Sequence, residues 1–170
     1  MKQLLSLLLC LSIIVPSMAK KEQRKQNVFP DGTPISEWFL QTKVVHPDSL
    51  GKKYDLSDYG IESNPHIVQT QKIQKIIDEA AANGGGVIYI PEGIYKSGSL
   101  FFKQGTHLYL SKGATLLGSE NIMDFPLLMT RIEGEYCKYF GALINADGLD
   151  TFTISGKGTI DGNGTPYWLS

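Results

Sequence analysis

Four short apolar runs follow one another between Gly84 and Gly118, and each is closed by Gly, Pro or Lys-Gly: VIYI, SLFF, HLYL and ATLL. Shifted by 20 positions, Ile88–Ile90 falls on Leu108–Leu110, and Gly93 falls on Gly113. Self-similarity near 20 residues in β-rich units is typical of a solenoid. The units are too short for propeller blades and lack the helical half of a leucine-rich repeat. The repeat therefore predicts an all-β protein, a parallel β-helix whose strands pair with those of the coils above and below.

The same pattern returns near the end of the sequence. A shift of 44 positions places Leu110–Ser111 on Ile154–Ser155 and Thr115–Gly118 on Thr159–Gly162, which equals two coils or one coil plus an insertion. The segment 119–140 loses the strand pattern and is predicted to be an inserted loop. Alternate side chains should point into a continuous core: Ile88, Ile90, Leu108, Leu110, Phe152 and Ile154.

An amphipathic helix is predicted directly before the repeat. Asn64 is a favourable N-cap and Pro65 suits the first helical position, while Asn83-Gly84 should end the helix. The first coil of a solenoid exposes unpaired strand edges, so we expect this helix to cap it. Its apolar face has helical spacing: Ile67, Ile73, Ile76, Ile77 and Ala80.

The N-terminal residues 1–19 have the pattern of a secretory signal, with Lys2, an apolar core and small residues before the cleavage site. The core of about twelve apolar residues is short of the roughly 20 that span a bilayer. Residues 20–59 are predicted to be an irregular lead-in, with a possible short strand at Tyr54–Tyr59, and residues 60–170 to hold the helix cap and the first coils.

Export would leave a mildly acidic chain. Without Lys2, 15 of the 16 Lys and Arg residues remain against 17 Asp and Glu, a formal charge of −2. This balance gives no indication of a nucleic-acid surface. Cys137 becomes the only cysteine, so no internal disulfide can form.

Motifs for metal and nucleophilic chemistry are absent. The sequence contains no His-x-x-x-His, no Cys-x-x-Cys and no Gly-x-Ser-x-Gly, so neither a metal site nor a cofactor is expected. Paired carboxylates for glycosidic-bond cleavage remain as an option. The candidates are Asp147, Asp150 and Asp161, although Asp-Gly is also an ordinary turn dipeptide.

The 119–140 segment carries the candidate substrate contacts. Arg131, Glu133 and Tyr136, with Lys138 nearby, could contact an acidic sugar, because long loops in compact domains are often functional. A solvated surface loop is the alternative interpretation of the same residues.

Two passages resemble a known family. They are IQKIIDEAAANGGGVIYIPEGIYKSGSLFFKQGTHLYLSKGATLLGS and GALINADGLDTFTISGKGTIDGNGTPYW, which resemble the polygalacturonases, the pectin-degrading glycoside hydrolases of family 28. The likeness runs from about Tyr54 to Trp168. The more family-specific part is Gly-x-Gly-x-Ile-Asp-Gly-x-Gly-x-x-x-Trp, which runs from Gly156 to Trp168.

The resemblance implies a right-handed parallel β-helix that hydrolyses galacturonic-acid linkages with inversion and without a metal. In that family one Asp protonates the leaving oxygen while two others activate water. These residues lie downstream of the Ile-Asp-Gly pattern, so no catalytic residue is expected before Ser170, and Asp161 belongs to a structural turn. The chain is thus expected to be an inactive N-terminal fragment, truncated after the first coils.

The resemblance also implies a secreted or periplasmic protein that binds a pectic polysaccharide or oligogalacturonide. Two alternatives remain open at this point. One is a β-helix polysaccharide lyase that uses Ca²⁺ and a Lys or Arg base. The other is a non-catalytic carbohydrate-binding or adhesin β-helix.

Overall fold

The computed structural model describes residues 27–40 and 45–168, and the chain divides into two units at Thr42 and Lys43. The predicted signal at residues 1–19 lies outside the described residues. In the first unit, Val28 bridges Pro34 and a 3-10 turn spans Glu37–Leu40. Within the described residues, no helix is long and apolar enough to cross a membrane.

The second unit is built mainly from short strands. Its elements are β1 (Lys53–Asp55), β2 (Asn64–Val68), α1 (Thr70–Ala82), β3 (Gly86–Ile90), β4 (Gly93–Ser97), β5 (Leu100–Phe101), β6 (Thr106–Leu110), β7 (Ala114–Gly118), β8 (Leu127–Ile132), β9 (Glu135–Phe140), β10 (Ile144–Asn145), β11 (Ile154–Gly156), β12 (Thr159–Asp161) and α2 (Thr165–Trp168). Three parallel sheets run in the orders β1-β3-β6-β11, β2-β4-β7-β12 and β5-β10, which is the arrangement of a right-handed parallel β-helix. The predicted fold class is therefore confirmed.

The predicted register between the first two coils is confirmed in β3 and β6, where Ile88 lies opposite Leu108. The predicted shift of 44 also holds in β7 and β12, where Thr159 lies opposite Thr115. It is wrong for β11, because Ile154 lies opposite Leu108 and not Leu110. Two residues separate Gly156 from Thr159, whereas four separate their partners Leu110 and Thr115. The strand pairing therefore differs by two positions from the alignment of similar residues.

The pairing of β4 with β7 differs from the predicted one by a single position. Gly93 lies opposite Ala114, one position beyond the predicted Gly113. Gly93 still contacts Gly113, because its N–H donates to the Gly113 carbonyl at 3.2 Å. The turn after β6 therefore has one residue more than the turn after β3.

The apolar interior is continuous through the first two coils. Ile88, Ile90, Leu108 and Leu110 are buried as predicted, and Phe152 packs half-buried against them. Ile154 shares the column of Leu108 yet is 48% exposed, because β11 is the edge of its sheet among the described residues.

The helix begins later than its capping residues predict. Asn64 and Pro65 belong to β2, which pairs with β4, and Ile67 is exposed. Asn64 does accept a hydrogen bond from His66 N at 2.8 Å, but within an extended segment. Pairing with the sheet satisfies the backbone here and outweighs the local capping preference. The rest of the prediction is confirmed: the face is buried and the helix ends at Asn83, followed by Gly84 at φ +90°.

Helix α1 caps the first coil through a side chain as well as through its apolar face. The Gln74 amide accepts a hydrogen bond from Phe101 N at 2.8 Å and donates one to Phe101 O at 2.9 Å. It thereby serves the backbone of β5 as a neighbouring strand would. Asp78 and Lys103 add an ion pair at 2.7 Å between the helix and the coil.

Residues 127–140 of the 119–140 segment form an antiparallel hairpin outside the three parallel sheets, so the segment is an insertion, as predicted, but it does contain strands. Strands β8 and β9 pair antiparallel over six positions, from Leu127 opposite Phe140 to Ile132 opposite Glu135. The two-residue turn is Glu133-Gly134, with φ of 52° and 95°. Both faces of the hairpin are largely exposed, which explains why no alternation of apolar and polar residues marks it in the sequence.

A candidate substrate-contacting hairpin

All three predicted substrate-contact residues lie at the tip of the β8–β9 hairpin. Arg131 and Tyr136 lie directly opposite each other across the two strands, while Glu133 is in the turn. The Arg131 side chain donates through Nε to the Gly134 carbonyl oxygen at 3.2 Å. This contact holds the base of the guanidinium group against the turn and leaves the side chain exposed.

Strand register separates the charges of the hairpin by face. Side chains alternate along a strand, and residues directly opposite in an antiparallel pair share a face. Arg131 and Tyr136 therefore share a face with Lys138, whereas Glu135 projects from the other face together with Ile132. We call the first side the cationic face; its six residues are Leu127, Met129, Arg131, Tyr136, Lys138 and Phe140.

Large apolar and aromatic side chains of the cationic face are exposed next to one another. Tyr136 is 79% exposed, and the apolar side chains of Met129 and Leu127 are exposed as well. A contiguous apolar and aromatic patch of this kind marks an interaction surface more often than it marks an inert one.

A cavity of about 400 Å³ lies at the base of the hairpin. Aromatic rings from three parts of the second unit line it: Phe125, Tyr139, Phe140 and Tyr167. Its size falls in the range of small-ligand sites. Phe140 lines this cavity and also ends the cationic face, so the two features meet at one residue.

The hydroxyl of Tyr167 is fixed at the wall of the cavity. It donates to the Ser119 carbonyl oxygen at 2.6 Å. Burial, and then the negative charges of Asp124 and Glu120, raise the pKa of Tyr167 above its ordinary value. The ring is therefore held as a neutral phenol.

Polar contacts anchor the segment that leads into the hairpin. The Ser119 hydroxyl donates to the Asp124 carboxylate, and Asn121 N donates to the same hydroxyl at 3.1 Å. Lys96 Nζ contacts both carboxylate oxygens of Glu120 at 2.9 and 2.8 Å, and this contact lowers the pKa of Glu120. Lys96 is thus committed to a structural ion pair.

The three candidate carboxylates are exposed: Asp147 lies in a turn, Asp150 in a bend and Asp161 at the end of β12. Asp161 accepts a hydrogen bond from Asn163 N at 2.8 Å, as an ordinary turn residue does. Asp147 precedes Gly148 at φ +64°. Asp150 is held through its backbone, whose N–H donates to Gln104 at 3.2 Å. Of the two Asp-Gly dipeptides, Asp147-Gly148 forms a turn.

In the described parts of the chain, no group of three or more His, Cys, Asp or Glu residues is placed to hold a metal ion. His46 pairs with Asp48 at 3.1 Å, and burial lowers the pKa of His107. Cys137 is a free, half-buried cysteine on β9.

Sequence reasoning missed how these residues are grouped. The alternation Tyr136-x-Lys138-x-Phe140 is the signal that could have found the cationic face, if 135–140 had been recognised as a strand. The aromatic cavity had no such signal, because Phe125 and Tyr167 are brought together with the hairpin only by the fold.

No family model matches the sequence. The chain is 33% identical over 147 residues to an exo-poly-α-D-galacturonosidase of Dickeya chrysanthemi, covering 82% of this chain and 24% of that protein. It is also 37% identical over 129 residues to the plasmin and fibronectin-binding protein A of Streptococcus pneumoniae, covering 74% of this chain and 17% of that protein. The chain thus spans about a quarter or less of the curated relatives that it matches.

Solved structures agree with the sequence relatives. The family 28 exopolygalacturonase of Yersinia enterocolitica is 33% identical, with a TM-score of 0.59 over 66% of this chain and 21% of that chain. An exopolygalacturonase from Thermotoga maritima shares the fold, with a TM-score of 0.61 at 22% identity over 71% of this chain and 26% of that chain. By sequence and by fold, the chain groups with the polygalacturonase-like proteins of glycoside hydrolase family 28.

Proposed function

We propose that the chain is the N-terminal part of a secreted glycoside hydrolase that cleaves galacturonic-acid linkages in pectin by an inverting acid/base mechanism. The observation that carries the proposal is the 33% identity to a galacturonosidase over 82% of the chain. That likeness covers the cap and the coils, so it extends through the scaffold on which such an enzyme positions its site.

The catalytic aspartates belong, in this proposal, beyond Ser170. An inverting glycosidase places two carboxyl groups about 6.5–9.5 Å apart, on opposite sides of the scissile bond, to leave room for water. Asp147, Asp150 and Asp161 are exposed, and Asp161 accepts a hydrogen bond from the backbone of Asn163, two residues further along. Residues 1–170 accordingly contribute scaffold and substrate contacts and are inactive alone.

Secretion is part of the proposal. Its support is the pattern of residues 1–19, together with a substrate that is a polymer too large to enter a cell. The protein is expected outside the cytoplasm, either secreted or periplasmic. Cell fractionation would locate it, and a full-length protein retained in the cytoplasm with residues 1–19 uncleaved would contradict this part.

A second candidate function is non-catalytic binding. The observation that favours it is the 37% identity to a protein named for binding plasmin and fibronectin. In that case the β-helix would present a surface to a host or matrix protein, and the exposed hairpin would be part of that surface.

The two candidates are separated by one experiment on the full-length protein. We expect polygalacturonate to be cut, with the first product released as the β-anomer in proton NMR because inversion converts an α-linkage. Neutral galactan is the control and should stay intact. Binding of immobilised fibronectin or plasmin without any cleavage would support the second candidate and exclude the first.

A further inference from the structure

The cationic face of the β8–β9 hairpin combines features that suit one class of ligand. The hairpin contains two cations and two carboxylates, so its sequence is neutral overall. The register nevertheless places both cations, Arg131 and Lys138, on one face and Glu135 on the other, while Glu133 is confined to the turn. This separation creates a local positive surface on a chain that is acidic as a whole.

The spacing on that face suits a repeating acidic sugar. Arg131 lies opposite Tyr136, and Lys138 is the diagonal neighbour of Arg131, about 7–8 Å away on an antiparallel pair. An Arg guanidinium pairs with carboxylates through parallel hydrogen bonds, and a Lys ammonium adds a second point charge. Tyr136, which lies directly opposite Arg131 and two residues before Lys138, offers an exposed flat ring with a polar tip.

None of these three side chains is committed to an ion pair within the described residues. Lys96, in contrast, is buried against Glu120, and Lys103 is paired with Asp78. The aromatic cavity continues the surface at Phe140, where it offers apolar walls to a sugar ring. The positive side chains and the aromatic rings therefore form one exposed strip that leads to a cavity.

We infer that the cationic face binds a polyuronate chain, with Arg131 and Lys138 contacting carboxylates and Tyr136 stacking on a sugar ring. The inference rests on the proposed function for the kind of sugar. It also revises the grouping of the candidate residues, because Glu133 is excluded: its turn position and its negative charge do not suit an anionic ligand.

The test uses the full-length protein in native gels that contain de-esterified polygalacturonate. We expect strong retardation of the wild type, weakened by salt because exposed charges are screened. The double variant Arg131→Ala with Lys138→Ala should bind about tenfold more weakly, since two exposed charge contacts are lost. Tyr136→Ala should also weaken binding, and Lys138→Arg should retain it.

The matched control is Glu135→Ala, on the opposite face of the same hairpin, which should be retarded at least as much as the wild type. Methyl-esterified galacturonan, which has the same sugars without the charge, should not retard any of the proteins. An unchanged melting temperature of each variant checks that the hairpin folds, and because all the substituted side chains are exposed, we expect no change.

The outcomes separate this inference from the proposed function. Retardation that depends on Arg131 and Lys138 in a protein that cuts no galacturonan would support the binding face and contradict the hydrolase. If the double variant cleaves galacturonan and is still retarded like the wild type, the hydrolase proposal is supported and the inferred binding face is contradicted. Binding of fibronectin through the same residues, with no retardation by polygalacturonate, would overturn it as well.

Discussion

At the scale of single residues, two adjacent glycines after α1 have different structural roles. Gly84 and Gly85 both have positive φ, of 90° and 103°. A Cβ on Gly84 would meet open space, whereas one on Gly85 would overlap the carbonyl oxygen of Gly105 in the next coil. Only the second glycine is required for the coils to approach each other.

Substitution by alanine should therefore separate conformational strain from coil contact. We expect Gly84→Ala to lower the free energy of unfolding by about 1–2 kcal/mol, from the left-handed conformation alone. Gly85→Ala should cost about 3 kcal/mol or more, because backbone must also move. Denaturant titration measures both, and equal losses would contradict the proposed role of Gly85.

The ionisation of Tyr59 makes the stability of the fold depend on pH. Burial, and then its hydrogen bond to Glu79 at 2.9 Å, raise the pKa of Tyr59 from 10.0 to about 12. Because the folded pKa is above the unfolded one, this contribution to stability is complete below pH 10 and is lost as the pH rises towards 12.

The alkaline transition tests this account of Tyr59. In an ultraviolet phenolate titration, Tyr59→Phe should remove a late-titrating tyrosine, and Glu79→Gln should move that step to lower pH. The same Tyr59→Phe variant should lose less stability between pH 10 and 12 than the wild type does. A titration curve with an unchanged late step in Tyr59→Phe would contradict the assignment.

At the scale of elements, α1 closes the first coil through Gln74 as well as through its buried face. Gln74→Ala would leave Phe101 N and O without their partner, so we expect a loss of about 1–3 kcal/mol in the free energy of unfolding. The exposed Gln71 on the same helix is the control, and Gln71→Ala should change it by less than about 0.5 kcal/mol. Similar small effects of both substitutions would mean that the cap depends on apolar packing alone.

The elements that sequence could predict are those whose burial pattern is regular. Ile88 and Leu108 repeat in buried strands of equal length, so their pairing was predictable. Asn64 was misleading because it has the chemistry of a helix cap, but the sheet provides its segment with a partner strand. The sequence shift aligned Ile154 with Leu110, two residues away from its actual partner Leu108, because a shorter turn changes the register without changing the similarity of the sequences.

The hairpin and its surface could not be predicted for a related reason. Residues 127–140 contain no buried stripe, so nothing in their periodicity indicates strands. Arg131 and Tyr136 were nevertheless identified by their chemistry, whereas their relation to Lys138 required the register. The aromatic cavity depends on Tyr167 and Phe125, which are distant in sequence, and so only the fold brings it together.

At the scale of the whole molecule, the described coils form a scaffold with one projecting hairpin. The scaffold has a buried apolar column, and the candidate carboxylates Asp147, Asp150 and Asp161 are exposed on its surface. Under the proposed function, we therefore expect the catalytic aspartates to lie outside the coils that the structure describes. Binding and catalysis are expected to reside in different segments of the sequence.

The measurement that tests this division most directly is reducing-end release from polygalacturonate, with residues 20–170 and the full-length protein assayed side by side at equal concentration. We predict steady release by the full-length protein and none by residues 20–170, whose folded content is checked by circular dichroism in the same sample. Release by residues 20–170 alone would contradict the account, because it would require a catalytic pair within the coils described above.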